Sequence, residues 1–124
     1  MEKHYNYVTH LDIKFNHLDL IDIPEMISQC RDKWFNQTLT KVNESVVRLG
    51  IVEGEYHWHK HDSDDEFFFV LSGHLCIDLE NKTIELKANQ GATISKGIMH
   101  RTRTKEKTIM LMVEKSTIQP TGDE

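Results

Sequence analysis

Between residues 38 and 115, apolar and polar side chains alternate with a period of two, as in strands with one buried face. Val47, Leu49 and Ile51 share a face, as do Leu75, Ile77 and Leu79, and Ile84, Leu86 and Ala88. A two-residue turn at Asn81-Lys82 sets Leu79 opposite Ile84, Ile77 opposite Leu86 and Leu75 opposite Ala88. Asp78 then faces Glu85, and Cys76 faces Lys87, on the other side. A second tight turn at Ser72-Gly73 sets Val70 opposite Leu75 and Phe68 opposite Ile77. Connections at 62–65 and 89–92 continue the meander. Short antiparallel strands joined by tight turns predict an all-β sandwich or small barrel.

Residues 1–37 read differently. Asp22-Ile23-Pro24-Glu25 has the marks of a helix start: an Asp cap, Pro in the first turn, and Glu three residues after the cap. Ile23, Ile27, Cys30 and Trp34 recur at helical spacing, which predicts a short amphipathic helix over 22–32. The chain therefore divides into an N-terminal helix and arm (1–37) packing on a barrel (38–115), followed by a tail (116–124).

Composition narrows the function. The 124 residues carry a net charge of −5 and 38% hydrophobic residues, which argues for one folded domain and against a nucleic-acid surface. The longest apolar runs, Phe67 to Leu71 and Ile109 to Val113, fall far short of the ~20 residues that span a bilayer. Met1 to His10 has no apolar stretch of the secretory kind. Cys30 and Cys76 lie far apart and outside any CxxC, so the expectation is a cytoplasmic protein with reduced thiols.

Eight histidines are present, and three of them fall within five residues. Closing the loop Asp62-Ser63-Asp64-Asp65 as a hairpin puts His61 opposite Glu66 and His59 opposite Phe68. His59 and His61 have the same parity, so they project from one face. Glu66 joins that face with Phe68, Val70, Leu75 and Ile77. Two imidazoles and a carboxylate thus converge on an apolar interior, where each costs several kcal/mol if unpaired. A divalent cation removes both costs. Histidines with one carboxylate suit Mn, Fe, Co, Ni, Cu or Zn better than Ca or Mg.

The stretch from Gly54 through His57-Trp58-His59-Lys60-His61, then Asp65-Glu66 to Ser72-Gly73, resembles the first cupin motif: His59, His61, Glu66 and Gly73 fit its HxH, Glu and Gly. The resemblance implies a second motif, and Leu86 to His100 laid along it matches at Gly97 and His100. Asn89 stands where that motif opens with Gly, Ser95 where it has Pro, and Thr104 where many members have Asn. Gly54 is one residue nearer the HxH than the general pattern. Asn tolerates a left-handed turn, so its substitution is mild. The whole chain resembles small single-domain cupins often labelled mannose-6-phosphate-isomerase-like, a label that says little about the reaction. The resemblance implies an antiparallel double-stranded β-helix, or jelly-roll barrel, with a short N-terminal helix. It also implies one divalent transition metal (Fe, Mn, Ni or Zn) on His59, His61, Glu66 and His100.

His57 shares the parity of the HxH and is expected at the cavity or its mouth, with Phe68, Val70 and Ile77 lining the pocket. His74, after the turn glycine, reads as solvent-facing, and His4, His10 and His17 carry no pattern. Lys96, Arg101 and Arg103 form a basic group near His100, either a solvated face or an anion contact. Phe67, Phe69 and Leu71 point outward and need cover from the N-terminal segment or a second subunit, so a homodimer is expected. The expected partner is a small molecule, with neither nucleic acid nor membrane. Two functions compete: a metal-dependent oxygenase or isomerase, and a non-catalytic module that binds or senses a small molecule or the metal.

Overall fold

The alternating stretch, extended back to Trp34, forms seven strands and the N-terminal arm an eighth, and their pairing departs from the simple meander. A computed structural model describes residues 6–123. The elements are β1 (Val8–His10), α1 (Ile23–Gln29), β2 (Trp34–Val42), β3 (Ser45–Glu55), β4 (Glu66–Ser72), β5 (His74–Leu79), β6 (Thr83–Lys87), β7 (Gly91–Ile94) and β8 (His100–Lys115).

The long β8 organises the barrel. Its second half lies between β3 and β4, with Met112 opposite both Arg48 and Phe68, while His100 to Arg103 pair with β5. β4 and β5 therefore run end to end along β8, bent at Gly73, and do not form the hairpin expected at Ser72-Gly73. Gly73 adopts φ +92°, and a Cβ there would lie 2.5 Å from Thr108 Oγ1 and 2.8 Å from the Lys107 carbonyl oxygen. Only glycine fits that corner.

The β5–β6 hairpin exists, but its turn sits one residue earlier. Leu79 N–H donates to the Lys82 carbonyl, so Glu80-Asn81 forms the turn; Ile77 faces Ile84, Leu75 faces Leu86, Cys76 faces Glu85 and Asp78 faces Thr83. The shift moves pairing by two residues, so each side chain keeps its face. Ala88 falls outside β6 and is exposed, because Asn89 turns the chain at φ +69° and sends β7 back along β4. The left-handed tolerance expected of Asn89 is used there.

Two cores result. Val52, Phe68, Val70, Leu75, Ile77, Met110 and Met112 fill the barrel interior. Leu39, Leu49, Ile51 and Ile109 lie on the outer face under Met26, with Ile23, Ile27 and Phe15 against them. Val47, Leu49 and Ile51 do share a face, but it is the face covered by α1. The Asp22 side chain accepts from Glu25 N–H and caps α1, as the sequence suggests. The helix ends at Gln29, three residues early, and Trp34 instead opens β2 opposite Val52. Strand pairing outweighs the helical spacing there. β1 adds parallel to β2, so the arm also contributes a strand. Leu71 packs against the outer core, while Phe67 and Phe69 are half-buried. Among the described residues, no helix is long and apolar enough to cross a membrane.

Candidate metal centre

His59, His61, Glu66 and His100 are all buried, with one donor atom from each within 4.8 Å of the others. Their arrival differs from the expected hairpin. β4 pairs with β7 and β8, and His59 pairs with His100, each N–H donating to the other's carbonyl at 2.9 Å. The second-motif turn closes on the first: Gly97 N–H donates to the His61 carbonyl at 2.7 Å, and Lys96 N–H to Asp65 Oδ1 at 2.9 Å.

Backbone carbonyls set two of the rings. His59 Nδ1–H donates to the His57 carbonyl and His100 Nδ1–H to the Ile98 carbonyl, both at 2.9 Å. Each ring thereby turns a lone-pair Nε2 inward, as metal-ligating histidines do. His61 Nε2 stands 3.5 Å and His100 Nε2 3.4 Å from Glu66 Oε1, yet none of these three atoms has a hydrogen-bond partner. Burial, then the neighbouring His100, push the His59 pKa down to about 4, so its imidazole is neutral near pH 7. Burial would raise the Glu66 carboxyl, but contacts from His100, His61 and Glu114 outweigh it and hold it below the usual carboxylate range.

Sequence reasoning missed the layer behind Glu66. Glu114 is its cross-strand partner on β8, and Arg48 Nε lies 2.8 Å from Glu114 Oε1 with both side chains almost fully buried. Burial and the charge of Glu66 push the Glu114 pKa up. The two carboxyls therefore hold one negative charge between them near neutral pH, balanced by the Arg48 guanidinium. Asn36 and Thr38 on β2 add unpaired buried oxygens to this polar floor.

Beside the four donors is a cavity of about 20 Å³, walled by Trp34, Phe68, Met110 and Met112, with Asn36, Tyr56 and Thr102 as polar members. That is room for about one water molecule. Val70 and Ile77, expected on its wall, are fully buried in the core below. His57, expected at the mouth, has its ring between two chain segments. Its Nε2–H donates to the Thr121 carbonyl at 2.7 Å, and its Nδ1 is 3.2 Å from the Tyr7 hydroxyl.

The tail runs beside the cavity, and Pro120 is part of its lining. Tyr56 O–H donates to the Pro120 carbonyl at 3.2 Å, Asp123 N–H donates to the Lys60 carbonyl, and Asp123 Oδ2 accepts from Asp62 N–H. Gly122 lies against His59 so closely that a Cβ would stand 2.5 Å from the His59 Cβ. The basic group does not converge on the cavity. Arg101 and Arg103 both bind Asp78, at 2.8 and 2.7 Å, and the Arg103 contact leads in holding that carboxyl far below its usual range.

Residues 46–114 match the cupin domain family. The chain belongs to the cupins. It is 44% identical over 88 residues to the uncharacterized protein YdbB of Bacillus subtilis (strain 168), spanning 70% of this chain and 78% of that one. A crystal structure of a cupin-2 domain protein from Shewanella frigidimarina shares 30% identity, with 77% of this chain and 94% of that chain covered at a TM-score of 0.73. A conserved protein with a double-stranded β-helix domain from Klebsiella pneumoniae is similar in fold, at 19% identity and TM-score 0.70 over 83% of this chain and 89% of that one. The jelly-roll architecture of this cupin is thus shared across relatives whose sequences have drifted far apart.

Proposed function

We propose that this cupin holds one divalent transition metal on His59, His61, Glu66 and His100 and offers it to a small molecule entering under the tail. One observation carries the reading: His61 Nε2, His100 Nε2 and Glu66 Oε1 are buried, face one another and have no hydrogen-bond partner. Leaving such groups unpaired costs on the order of 1–3 kcal/mol each. Neutral imidazoles and an ionised carboxylate are the forms that a metal requires, and Fe, Mn, Ni or Zn suits them. Bound there, the metal supplies Lewis-acid or redox chemistry. The chain's own part is to exclude water with Trp34, Phe68, Met110 and Met112, and to flank the cavity with Pro120 while Gly122 packs on His59.

A second reading, a non-catalytic binding module, has its own support. Tyr56, the cavity's further acid–base group, spends its hydroxyl on the Pro120 carbonyl, and burial drives its pKa up. Metal content by mass spectrometry tests the centre. Wild type should carry about one equivalent more transition metal than His61→Ala or Glu66→Gln; equal content in all three refutes it. Oxygen-uptake and sugar-phosphate isomerisation assays on the Fe, Mn, Ni and Zn forms then separate the readings, turnover favouring the enzyme. The same reading takes the chain to pair through the outer face that holds Phe67 and Phe69, whose rings stack 6.4 Å apart. A monomer mass independent of concentration in light scattering refutes that pairing.

A further inference from the structure

The outward face of β5 carries a second set of donors, on the opposite side of the sheet from the barrel interior. His74 and Cys76 are two residues apart and share that face, and Glu85 on β6 is the cross-strand partner of Cys76. One donor atom from each lies within 4.8 Å of the other two. Cys76 Sγ stands 3.9 Å from His74 Nδ1, and His74 Nε2 stands 3.6 Å from Glu85 Oε1. His74, expected to face solvent, is therefore turned onto its neighbours. Cys76 is only 6% exposed, whereas the Glu85 carboxylate reaches solvent, so the cluster has a buried sulfur and an open side. Asp78, next along the face, is occupied by Arg101, Arg103 and Thr83. The Arg103 guanidinium, on the strand beside Cys76, is thereby drawn onto a carboxylate and its charge offset near the sulfur.

We infer that His74, Cys76 and Glu85 form a separate site for one borderline-soft divalent cation, zinc foremost. Imidazole nitrogen, thiolate sulfur and carboxylate oxygen are the three donor types that zinc accepts, and a sulfur ligand disfavours Ca and Mg. Three protein ligands leave a fourth tetrahedral position facing solvent, for water or a donor from another molecule. The Cys76 thiol gives up its proton to solvent as the metal–sulfur bond forms, so binding strengthens with rising pH.

A thiolate makes the test specific, because the four barrel donors include none. Cobalt(II) is titrated into the full chain carrying Cys30→Ser, which removes the other thiol. The expected result is a near-ultraviolet thiolate-to-cobalt charge-transfer band that survives His61→Ala and, in that variant, saturates at one cobalt per chain. Cys76→Ser should abolish the band. His74→Ala and Glu85→Gln, both on the surface, should each weaken the affinity read from the band by at least about tenfold, the lower range for losing a partner at a metal site. These two carry the test if the buried Cys76→Ser variant fails to fold. No band at saturating cobalt, or a band of unchanged affinity in both surface variants, overturns the site.

Discussion

Replacing Arg48 by Met removes the one guanidinium that balances the carboxyl pair under the metal centre. Arg48, Glu114 and Glu66 are 2%, 3% and 5% exposed, so water cannot take its place. Arg48 Nε lies 2.8 Å from Glu114 Oε1, and the charge it balances is the single negative charge that Glu66 and Glu114 share in this buried layer. Removing one partner leaves the negative charge uncompensated, so Arg48→Met should destabilise the metal-free protein by about 3–5 kcal/mol. For a chain of this length that lowers Tm by roughly 10–20 °C. The double variant Arg48→Met/Glu114→Leu removes the cation with one carboxyl, and should recover at least about 1 kcal/mol relative to the sum of the two single losses. Urea unfolding in the presence of a chelator, with m-values compared across variants, measures all three. Strict additivity, or an Arg48→Met loss below about 1 kcal/mol, would show that the pair does not act as a unit.

Three further outcomes are expected. Gly73→Ala should cost more than about 2 kcal/mol in chemical denaturation, because the positive φ is strained and the Lys107 carbonyl and Thr108 backbone block the new methyl; a near-neutral result contradicts the corner geometry. Gly122→Ala should expose the tail to proteolysis while leaving barrel stability within about 1 kcal/mol, since its Cβ would strike His59 at a segment held by few contacts; a tail as protected as in wild type refutes this. For pH, the His59 pKa is about 4 when folded and 6.5 unfolded, so the unfolded chain binds the extra proton and stability falls as pH drops through that window, by about 3 kcal/mol in full. The raised Glu114 carboxyl acts in the opposite sense there, being protonated when folded and ionised when unfolded. The metal-free wild type should therefore be nearly flat between pH 6.5 and about 5, and Glu114→Gln should show the His59 slope of about 1.4 kcal/mol per unit. Parallel wild-type and variant curves refute that assignment.

The face on which each residue lies was legible, and strand pairing much less so. Parity put Glu66, Phe68 and Val70 on one side of β4, and they are buried together. It survived a turn misplaced by one residue in the β5–β6 hairpin, because a two-residue slip leaves the faces unchanged. What parity does not carry is which distant strand an element pairs with. The bend at Gly73 and the left-handed Asn89 send β5 and β7 to strands far along the chain, and a tight-turn reading joins neighbours instead. Arg48 and Glu114 escaped for another reason. β3 is buried on both faces for much of its length, so Val47, Leu49 and Ile51 mark only the outer one, and Arg48, between Val47 and Leu49, takes the alternate position that a half-exposed strand would turn to solvent. Its equal parity with Val46 and Val52 was the available signal.

The tail beside the cavity also has an evolutionary side. Of the tail's contacts with the barrel, those of Pro120 and Thr121 use their backbone carbonyls, and Asp123 uses its N–H as well as its carboxylate. Ile118 is buried and Asp123 uses its carboxylate, but between them the backbone carbonyls of Pro120 and Thr121 make the hydrogen bonds, and those ask for no particular side chain. A descendant could therefore rewrite residues 119–121 one at a time without disturbing a strand or any of the four buried donors. Under the proposed function, selectivity could drift in this short ribbon while the four donors beneath stay fixed.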